Sequence, residues 1–120
     1  MIVTILLLVS DPLLRSVMKE TLEAEGYVVL PTGTLGAAVD VLKVSKPTLL
    51  ITRTYVEGMP GHDAAKYLRK KCPDMRVLIV GGLLNDERLQ DRYTVEGFEV
   101  FPKPYTADQL LEKTKEVLSA

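Results

Sequence analysis

The sequence predicts a three-layer α/β fold in which helices cover both faces of one parallel sheet. Apolar runs without alternation occur at residues 3–9, where Thr4 is the one polar residue, and at residues 49–51 and 77–80. Strands that are buried on both faces have this composition. Segments with helical apolar spacing separate these runs. Strands that alternate with helices are typical of a doubly wound parallel sheet.

Start and stop signals define five strands and five helices. Asp11 and Pro12 favour a helix start directly after the first strand, and Pro31 ends the second strand. Thr106 and Gln109 form a capping box for the last helix. The predicted strands lie at residues 3–9, 27–30, 49–51, 77–80 and 98–101. The predicted helices lie at about residues 12–25, 34–43, 62–71, 85–95 and 106–118.

Composition and charge indicate one soluble domain over residues 1–120. Hydrophobic residues make up 47% of the chain and charged residues 26%, which is ordinary for a globular protein. The formal charge of -1 gives no field that favours nucleic acid or an anionic membrane, and the apolar segment at residues 2–9 is too short to span a bilayer. The single cysteine, Cys72, fits a reducing cytoplasm.

Polar residues and glycine follow the predicted strands at the points where the strands end. Ser10 and Asp11 follow the first strand, and Arg53 follows the third. Gly81 follows the fourth strand and Lys103 the fifth. Because the carboxyl ends of parallel strands form the edge where α/β proteins bind ligands, these residues define the candidate site.

These motifs resemble the receiver domain of bacterial two-component response regulators over essentially the whole chain. Gly58, Met59 and Gly61 match the family's loop after the third strand, and Lys103 with Tyr105 matches its lysine-proline-aromatic signature. The resemblance implies a five-stranded, flavodoxin-like sheet with strand order 2-1-3-4-5. It also implies a role in phosphorelay signal transduction.

The residues that carry the family's chemistry differ in this chain. Val9 and Ser10 stand where the family has its metal-binding acid pair, and Arg53 stands where it has the phosphorylated aspartate. Gly81 replaces the threonine or serine that ends the fourth strand. In an alternative alignment, a one-residue deletion before Pro12 would make Asp11 one of the acid pair, and Arg53 would still occupy the acceptor position.

Arginine cannot perform the reaction that the resemblance implies. It has no lone pair for attack on phosphorus and stays protonated at accessible pH. Its charge also repels a divalent cation, since two unit charges about 4 Å apart interact by roughly 4 kcal/mol at an effective dielectric near 20. We therefore expect no Mg²⁺, no other cofactor and no enzymatic activity.

Two interpretations of the pocket cations stay open. The first and favoured one is an internal salt bridge from Arg53 or Lys103 to Asp11. The second is a bound anion, such as phosphate, sulfate or a nucleotide phosphate, between Arg53 and Lys103.

The family's conformational switch also lacks its usual residues. Gly81 has no hydroxyl to move towards a phosphoryl group. The aromatic position of the switch falls on Val100, or on Phe101 if the following loop is one residue short. We therefore predict a module without the ordinary two-state response.

The resemblance places the partner surface on the fourth helix, fifth strand and fifth helix. Tyrosine and arginine are enriched at binding hot spots, so the composition of this surface permits an interface. The alternative is that its aromatic side chains only cover the sheet. The candidate residues are Arg88, Arg92, Tyr93, Phe101 and Tyr105. The leading hypothesis is a pseudo-receiver that acts by protein contact, and the second is a small anion-sensing or nucleotide-phosphate-sensing module. An enzyme on this scaffold ranks third, because we find no nucleophile paired with a base.

Overall fold

The structure, a computed structural model, describes residues 2–81, 98–101 and 105–119. The strands in these ranges are β1 (Thr4–Leu8), β2 (Val28–Thr32), β3 (Leu49–Arg53), β4 (Tyr55–Val56), β5 (Met59–Pro60), β6 (Arg76–Val80) and β7 (Glu99–Phe101). The helices are α1 (Pro12–Glu23), α2 (Leu35–Val44), α3 (Gly61–Lys71) and α4 (Ala107–Ser119). The predicted helix at residues 85–95 lies outside the described residues.

Five parallel strands form the central sheet in the order β2-β1-β3-β6-β7. Since β6 and β7 are the predicted fourth and fifth strands, this order is the predicted 2-1-3-4-5, and α4 is the predicted fifth helix. The doubly wound α/β fold is confirmed. The short strands β4 and β5 form a separate antiparallel hairpin.

Two apolar clusters cover the two faces of the sheet. Leu6, Leu8 and Leu50 belong to the cluster that packs against α2 and α3. Leu7 and Ile51 belong to the cluster on the other face, which packs against α1 and α4. Because alternate residues of β1 and β3 enter different clusters and both clusters are buried, the interior of each strand is a continuous apolar run, at residues 5–8 and 49–51.

Strand β2 is longer than the sequence predicts. Pro31 lies inside it, paired with Leu7, and the strand continues to Thr32. Since β2 is at the edge of the sheet, a proline without an N–H group is tolerated there. The Thr32 hydroxyl donates to the Leu7 carbonyl at 2.9 Å, which fixes the end of the strand. The prediction that Pro31 ends the strand was therefore wrong.

The helix starts are capped as the sequence predicts. A carboxylate oxygen of Asp11 accepts from the backbone N–H groups of Leu13 and Leu14 at 2.9 and 3.3 Å. The capping box of Thr106 and Gln109 is present, with reciprocal hydrogen bonds of 2.8 and 3.1 Å. Among the described helices, none is long and apolar enough to cross a membrane.

Candidate functional site

Strand β3 carries Arg53 to the carboxyl edge of the sheet. Thr52 pairs with Leu8 of β1, and Arg53 pairs with Val80 of β6. The residues that follow β1 and β6 therefore lie on either side of Arg53. The Thr52 hydroxyl is buried and donates to the Leu8 carbonyl at 2.8 Å, which fixes the register next to the site.

A tight hairpin follows β3, which the sequence did not predict. Tyr55 pairs with Pro60, and the turn residues Glu57 and Gly58 have φ angles of 51° and 78°. Positive φ at both central residues is the signature of a type I′ turn. A Glu57 carboxylate oxygen accepts from the Leu35 N–H group at 3.4 Å, so the hairpin contacts the start of α2. The glutamate-glycine pair was the available signal, but the flanking strands have only two residues each.

Gly61 closes this loop against the backbone of Arg53. Its N–H group donates to the Thr54 carbonyl at 2.7 Å. A Cβ atom at position 61 would lie 1.8 Å from the Arg53 carbonyl oxygen, which is far inside van der Waals contact. Only glycine therefore fits here, and the backbone of Arg53 is held in place by the start of α3.

The Arg53 side chain is half-buried, and its Nε atom has no hydrogen-bond partner in the part of the chain that the structure describes. This nitrogen is buried, and it is one of the few such atoms among the described residues. Burial raises the pKa of Tyr105, whereas the positive charge of Arg53 lowers it, so the two side chains interact electrostatically. A buried donor without an acceptor is rare in native proteins and requires an explanation.

Asp11 does not neutralise Arg53. Both side chains are described, and no ion pair between them occurs among the described residues. The Asp11 carboxylate is exposed and caps α1 instead. The favoured Arg53 to Asp11 salt bridge is thus absent, and the alternative pairing through Lys103 lies outside the described residues. Ser10 is exposed beside Asp11.

A second arginine, missed by the sequence analysis, occupies the edge between β1 and β2. Arg15 lies on α1, and its side chain is half-buried. Its Nη1 atom donates to the carbonyl of the fully buried Val9 at 2.9 Å. Gly33 lies directly against this guanidinium group, since a Cβ atom there would be 2.4 Å from Nη1. No sequence motif signals this contact.

Gly81 directly follows β6 and has a backbone conformation that favours glycine. Its φ angle is 78°, and it is buried. The Gly81 N–H group donates to the Phe101 carbonyl at 2.9 Å, and its own carbonyl accepts from the Thr54 hydroxyl at 3.1 Å. A hydroxyl at this position is therefore supplied by Thr54, and its hydrogen bond to the Gly81 carbonyl holds it in place.

The described part of the predicted partner surface consists of Phe101 and Tyr105. Both are half-buried, and their ring centroids lie 5.3 Å apart with an interplanar angle of 35°. They pack against the cluster on the α1 and α4 side, whereas Val100 packs against the cluster on the other face. Arg88, Arg92 and Tyr93 lie outside the described residues.

A comparison with protein families identifies the chain. The model of the response regulator receiver domain matches residues 5–115. The chain belongs to the response regulator receiver family. Sporulation initiation phosphotransferase F of Bacillus subtilis is 23% identical to this receiver over 105 residues, which cover 88% of the receiver and 85% of the relative. The probable transcriptional regulatory protein TcrX of Mycobacterium tuberculosis is 23% identical over 119 residues, which cover 97% of the receiver and 50% of the relative.

Solved structures share the receiver fold. A CheY-like receiver domain protein of Methanospirillum hungatei has a TM-score of 0.87 and 25% identity, over 99% of this receiver and 95% of that chain. A response regulator of Thermotoga maritima has a TM-score of 0.86 and 21% identity, with full coverage of both chains. NtrX of Brucella abortus has a TM-score of 0.86 and 20% identity, but this receiver covers only 27% of that chain. The receiver thus corresponds to about half of TcrX and to a smaller part of NtrX.

Proposed function

We propose that this receiver acts in two-component signalling through protein contact and does not accept a phosphoryl group. The observation that carries the proposal is Arg53 at the end of β3, with its backbone fixed against Gly61 at the carboxyl edge of the sheet. Transfer to a receiver requires a carboxylate oxygen that attacks phosphorus. A guanidinium group offers only N–H donors and cannot supply that nucleophile.

The surrounding side chains do not fit a Mg²⁺ site. Magnesium prefers carboxylate oxygens in an octahedral arrangement. Val9 is apolar and fully buried, and the Asp11 carboxylate is engaged in capping α1. Within the described residues, no group of three histidine, cysteine, aspartate or glutamate side chains is placed to hold a metal ion. We propose that the receiver does not depend on Mg²⁺.

Intact-mass measurement after incubation with acetyl phosphate or phosphoramidate and Mg²⁺ tests the proposal. We expect no gain of one phosphoryl group, while a receiver with the usual aspartate, treated in parallel, gains one. An Arg53→Asp variant restores a carboxylate but not the acid pair at Val9 and Ser10, so we expect it to remain unmodified. Modification of the native chain would refute the proposal. Modification of Arg53→Asp alone would show that Arg53 is the only block and that the pocket tolerates the metal.

Magnesium binding is tested separately by isothermal titration. We expect no heat of binding at millimolar Mg²⁺, because the fixed charge of Arg53 opposes a divalent cation. Binding at millimolar or tighter affinity would contradict this part of the proposal and would leave the missing nucleophile as the only barrier to phosphorylation.

We propose that the partner is a cytoplasmic protein that binds the surface around β7 and α4. Phe101 and Tyr105 support this assignment, because they form a contiguous aromatic pair at the start of α4, and Arg88, Arg92 and Tyr93 are assigned to the same surface from the sequence. Chemical cross-linking in cells tests it. A Tyr105→Ala variant should lose its cross-linked partner, whereas Tyr67→Ala, at an exposed tyrosine of α3, should retain it. Equal cross-linking by both variants would exclude this surface.

A second candidate function is anion sensing at Arg53. It is favoured by the buried Nε atom of Arg53, which has no acceptor within the described residues. An oxyanion would supply that acceptor and balance the charge. A thermal-shift series with phosphate and nucleotides should then raise the melting temperature of the native chain but not of Arg53→Gln, and Lys19→Gln serves as the surface control. No shift in the native chain would eliminate this candidate.

A further inference from the structure

Strand β3 lies between the two helices that cover one face of the sheet. Helix α1 packs over β2 and β1, and α4 packs over β6, so the end of β3 opens into the groove between α1 and α4. Alternate side chains of a strand point to opposite faces, so Arg53 points to the same face as Ile51, which belongs to the cluster on the α1 and α4 side. The electrostatic interaction of Arg53 with Tyr105, just before α4, agrees with this direction.

Helix α1 exposes two large apolar side chains beside this groove. Leu13 is 76% exposed and Val17 is 51% exposed. Residues two positions apart on a helix point about 200° apart, so both side chains lie on the flank opposite Arg15, which turns to the corner between β1 and β2. Leu13 and Val17 are one helical turn apart, and such a ridge packs into the groove of another helix.

The groove between α1 and α4 is closed at the amino edge of the sheet. Lys115 of α4 pairs there with Glu25, which follows α1, at 3.5 Å. Leu111 and Leu118 of α4 pack into the apolar cluster below the groove. The open part of the groove therefore lies at the carboxyl edge, where β3 ends at Arg53.

The described charges around this open end nearly balance, so an unpaired donor and apolar surface determine what binds there. Asp11 and Asp108 are exposed at the starts of α1 and α4, where each helix end contributes about half a positive charge. A small anion therefore gains little from net charge. The Nε atom of Arg53, however, is buried and has no acceptor among the described residues. A carboxylate on a partner that also covers the apolar ridge gains from both contacts.

We propose that a helix of a partner protein docks in the groove between α1 and α4 and places an aspartate or glutamate carboxylate against Arg53. The carboxylate accepts a hydrogen bond from the Arg53 Nε atom. Apolar residues one turn away on the partner helix cover Leu13 and Val17, and Tyr105 borders the contact on the α4 side. This inference rests on the proposed function in protein contact, and it names what the partner must carry.

Photo-cross-linking in cells locates the partner helix. A p-benzoylphenylalanine residue replaces Leu13 in one variant and Val44 in the other, and Val44, on α2 and 88% exposed, is the matched control. We expect a cross-linked protein from position 13 and none from position 44. Tandem mass spectrometry should place the link in a helical segment that carries aspartate or glutamate between apolar residues. No product from position 13, equal products from both positions, or a linked segment without a carboxylate would overturn the proposal.

A charge exchange tests the contact with Arg53. The cross-linked partner segment, synthesised as a peptide, should bind Arg53→Glu roughly tenfold or more weaker than the native chain. A peptide with lysine in place of its carboxylate residue should bind the native chain weakly and regain affinity for Arg53→Glu. Val17→Ser should weaken binding of the original peptide roughly threefold or more, whereas Val44→Ser should not. Losses without recovery in the exchanged pair would overturn the assignment of the carboxylate to Arg53.

Two further results separate this inference from its alternatives. If phosphate raises the melting temperature of the native chain and Arg53→Gln leaves the cross-link from position 13 unchanged, the acceptor of Arg53 is a small anion and the proposal is overturned. If a partner is lost in Tyr105→Ala but never cross-links from position 13, the placement of the helix is wrong and the proposed function stands. Phosphorylation of the native chain would instead refute the proposed function.

Discussion

Two arginines reach the carboxyl edge of the sheet, and their environments differ. Arg15 fills the corner between β1 and β2, where its Nη1 atom donates to the Val9 carbonyl at 2.9 Å. Arg53 ends β3, and its buried Nε atom has no hydrogen-bond partner among the described residues. Each arginine also has a glycine packed against it, Gly33 against the side chain of Arg15 and Gly61 against the backbone of Arg53.

The difference separates a structural cation from a candidate binding group. A buried donor that already has an acceptor contributes to stability, whereas one without an acceptor reduces it. We therefore expect the unpaired Nε atom of Arg53 to lower stability, and a role in binding would account for an arginine at this position. Arg15 needs no such explanation, because its side chain donates a hydrogen bond to the carbonyl of Val9, the residue that follows β1.

The largest effect is expected from Gly61→Ala. The added methyl group would lie 1.8 Å from the Arg53 carbonyl oxygen, and the three nearest atoms all belong to the backbone of Arg53 and Thr54, which cannot move aside as the end of a side chain can. We expect a loss of roughly 3 kcal/mol or more in the free energy of unfolding, which is in the upper part of the range for single substitutions. Urea denaturation followed by circular dichroism measures it.

Gly33→Ala is the matched control for that variant. The added methyl group would lie 2.4 Å from Arg15 Nη1, but this atom ends a flexible side chain that can move away. We expect a loss of about 1 kcal/mol, equal to the one hydrogen bond to Val9 that is given up. Equal losses in the two variants would mean that Arg15 is held as rigidly as the backbone of Arg53.

Arg15→Met tests the structural role of the first arginine. Methionine keeps much of the apolar length but leaves the Val9 carbonyl without its side-chain donor. We expect the free energy of unfolding to fall by about 1 to 1.5 kcal/mol in urea denaturation. An unchanged value would show that water replaces the guanidinium group at the Val9 carbonyl without loss.

Arg53→Met should have the opposite sign and a smaller size. The substitution removes a buried donor that has no acceptor, so we expect the free energy of unfolding to stay constant or to rise by up to about 1 kcal/mol. The same urea denaturation measures it, with Arg15→Met as the paired comparison. A loss comparable to that of Arg15→Met would indicate that Arg53 has a stabilising partner and would weaken its assignment as a binding group.

The fold was predictable because the sheet is buried on both faces. Apolar runs such as residues 77–80 indicate buried strands because they are too short for helices and glycine or proline lies near their ends, and the caps at Asp11 and Thr106 mark the helix starts. The edge strand β2 was harder, because Pro31 is a strand breaker in the interior of a sheet but not at its edge. The β4 and β5 hairpin was missed since two-residue strands carry no periodicity.

The candidate site was predictable only in its residue types. The sequence placed Val9, Arg53 and Gly81 at strand ends, and the register brings these strand ends to the same edge. It could not reveal that Arg15 turns inward to the Val9 carbonyl, because a long side chain on a helix can reach either solvent or the sheet. It also favoured Asp11 as a partner of Arg53, although capping of α1 engages the same carboxylate.

The smallest predicted effect concerns the titration of Tyr105. Burial raises the pKa of its phenol above the usual value, and the charge of Arg53 lowers it in part. Arg53→Gln removes only the lowering contribution, so the pKa of Tyr105 should rise further. Arg15→Gln should leave it unchanged, because Arg15 does not contribute to this shift. Ultraviolet difference titration of each variant against its Tyr105→Phe counterpart isolates this one phenol.

The raised pKa of Tyr105 also determines whether the protein gains or loses stability at alkaline pH. Because the folded-state pKa of Tyr105 lies above the unfolded value near 10, its contribution to stability is complete below about pH 10 and is lost as the pH rises through the folded-state pKa. Arg53→Gln raises that pKa and should therefore steepen the alkaline loss that depends on Tyr105, whereas Arg15→Gln should not. Urea midpoints measured between neutral and alkaline pH test this. An equal response in both variants would mean that Arg53 does not act on Tyr105, and Arg53 would then lose its link to the aromatic pair at the start of α4.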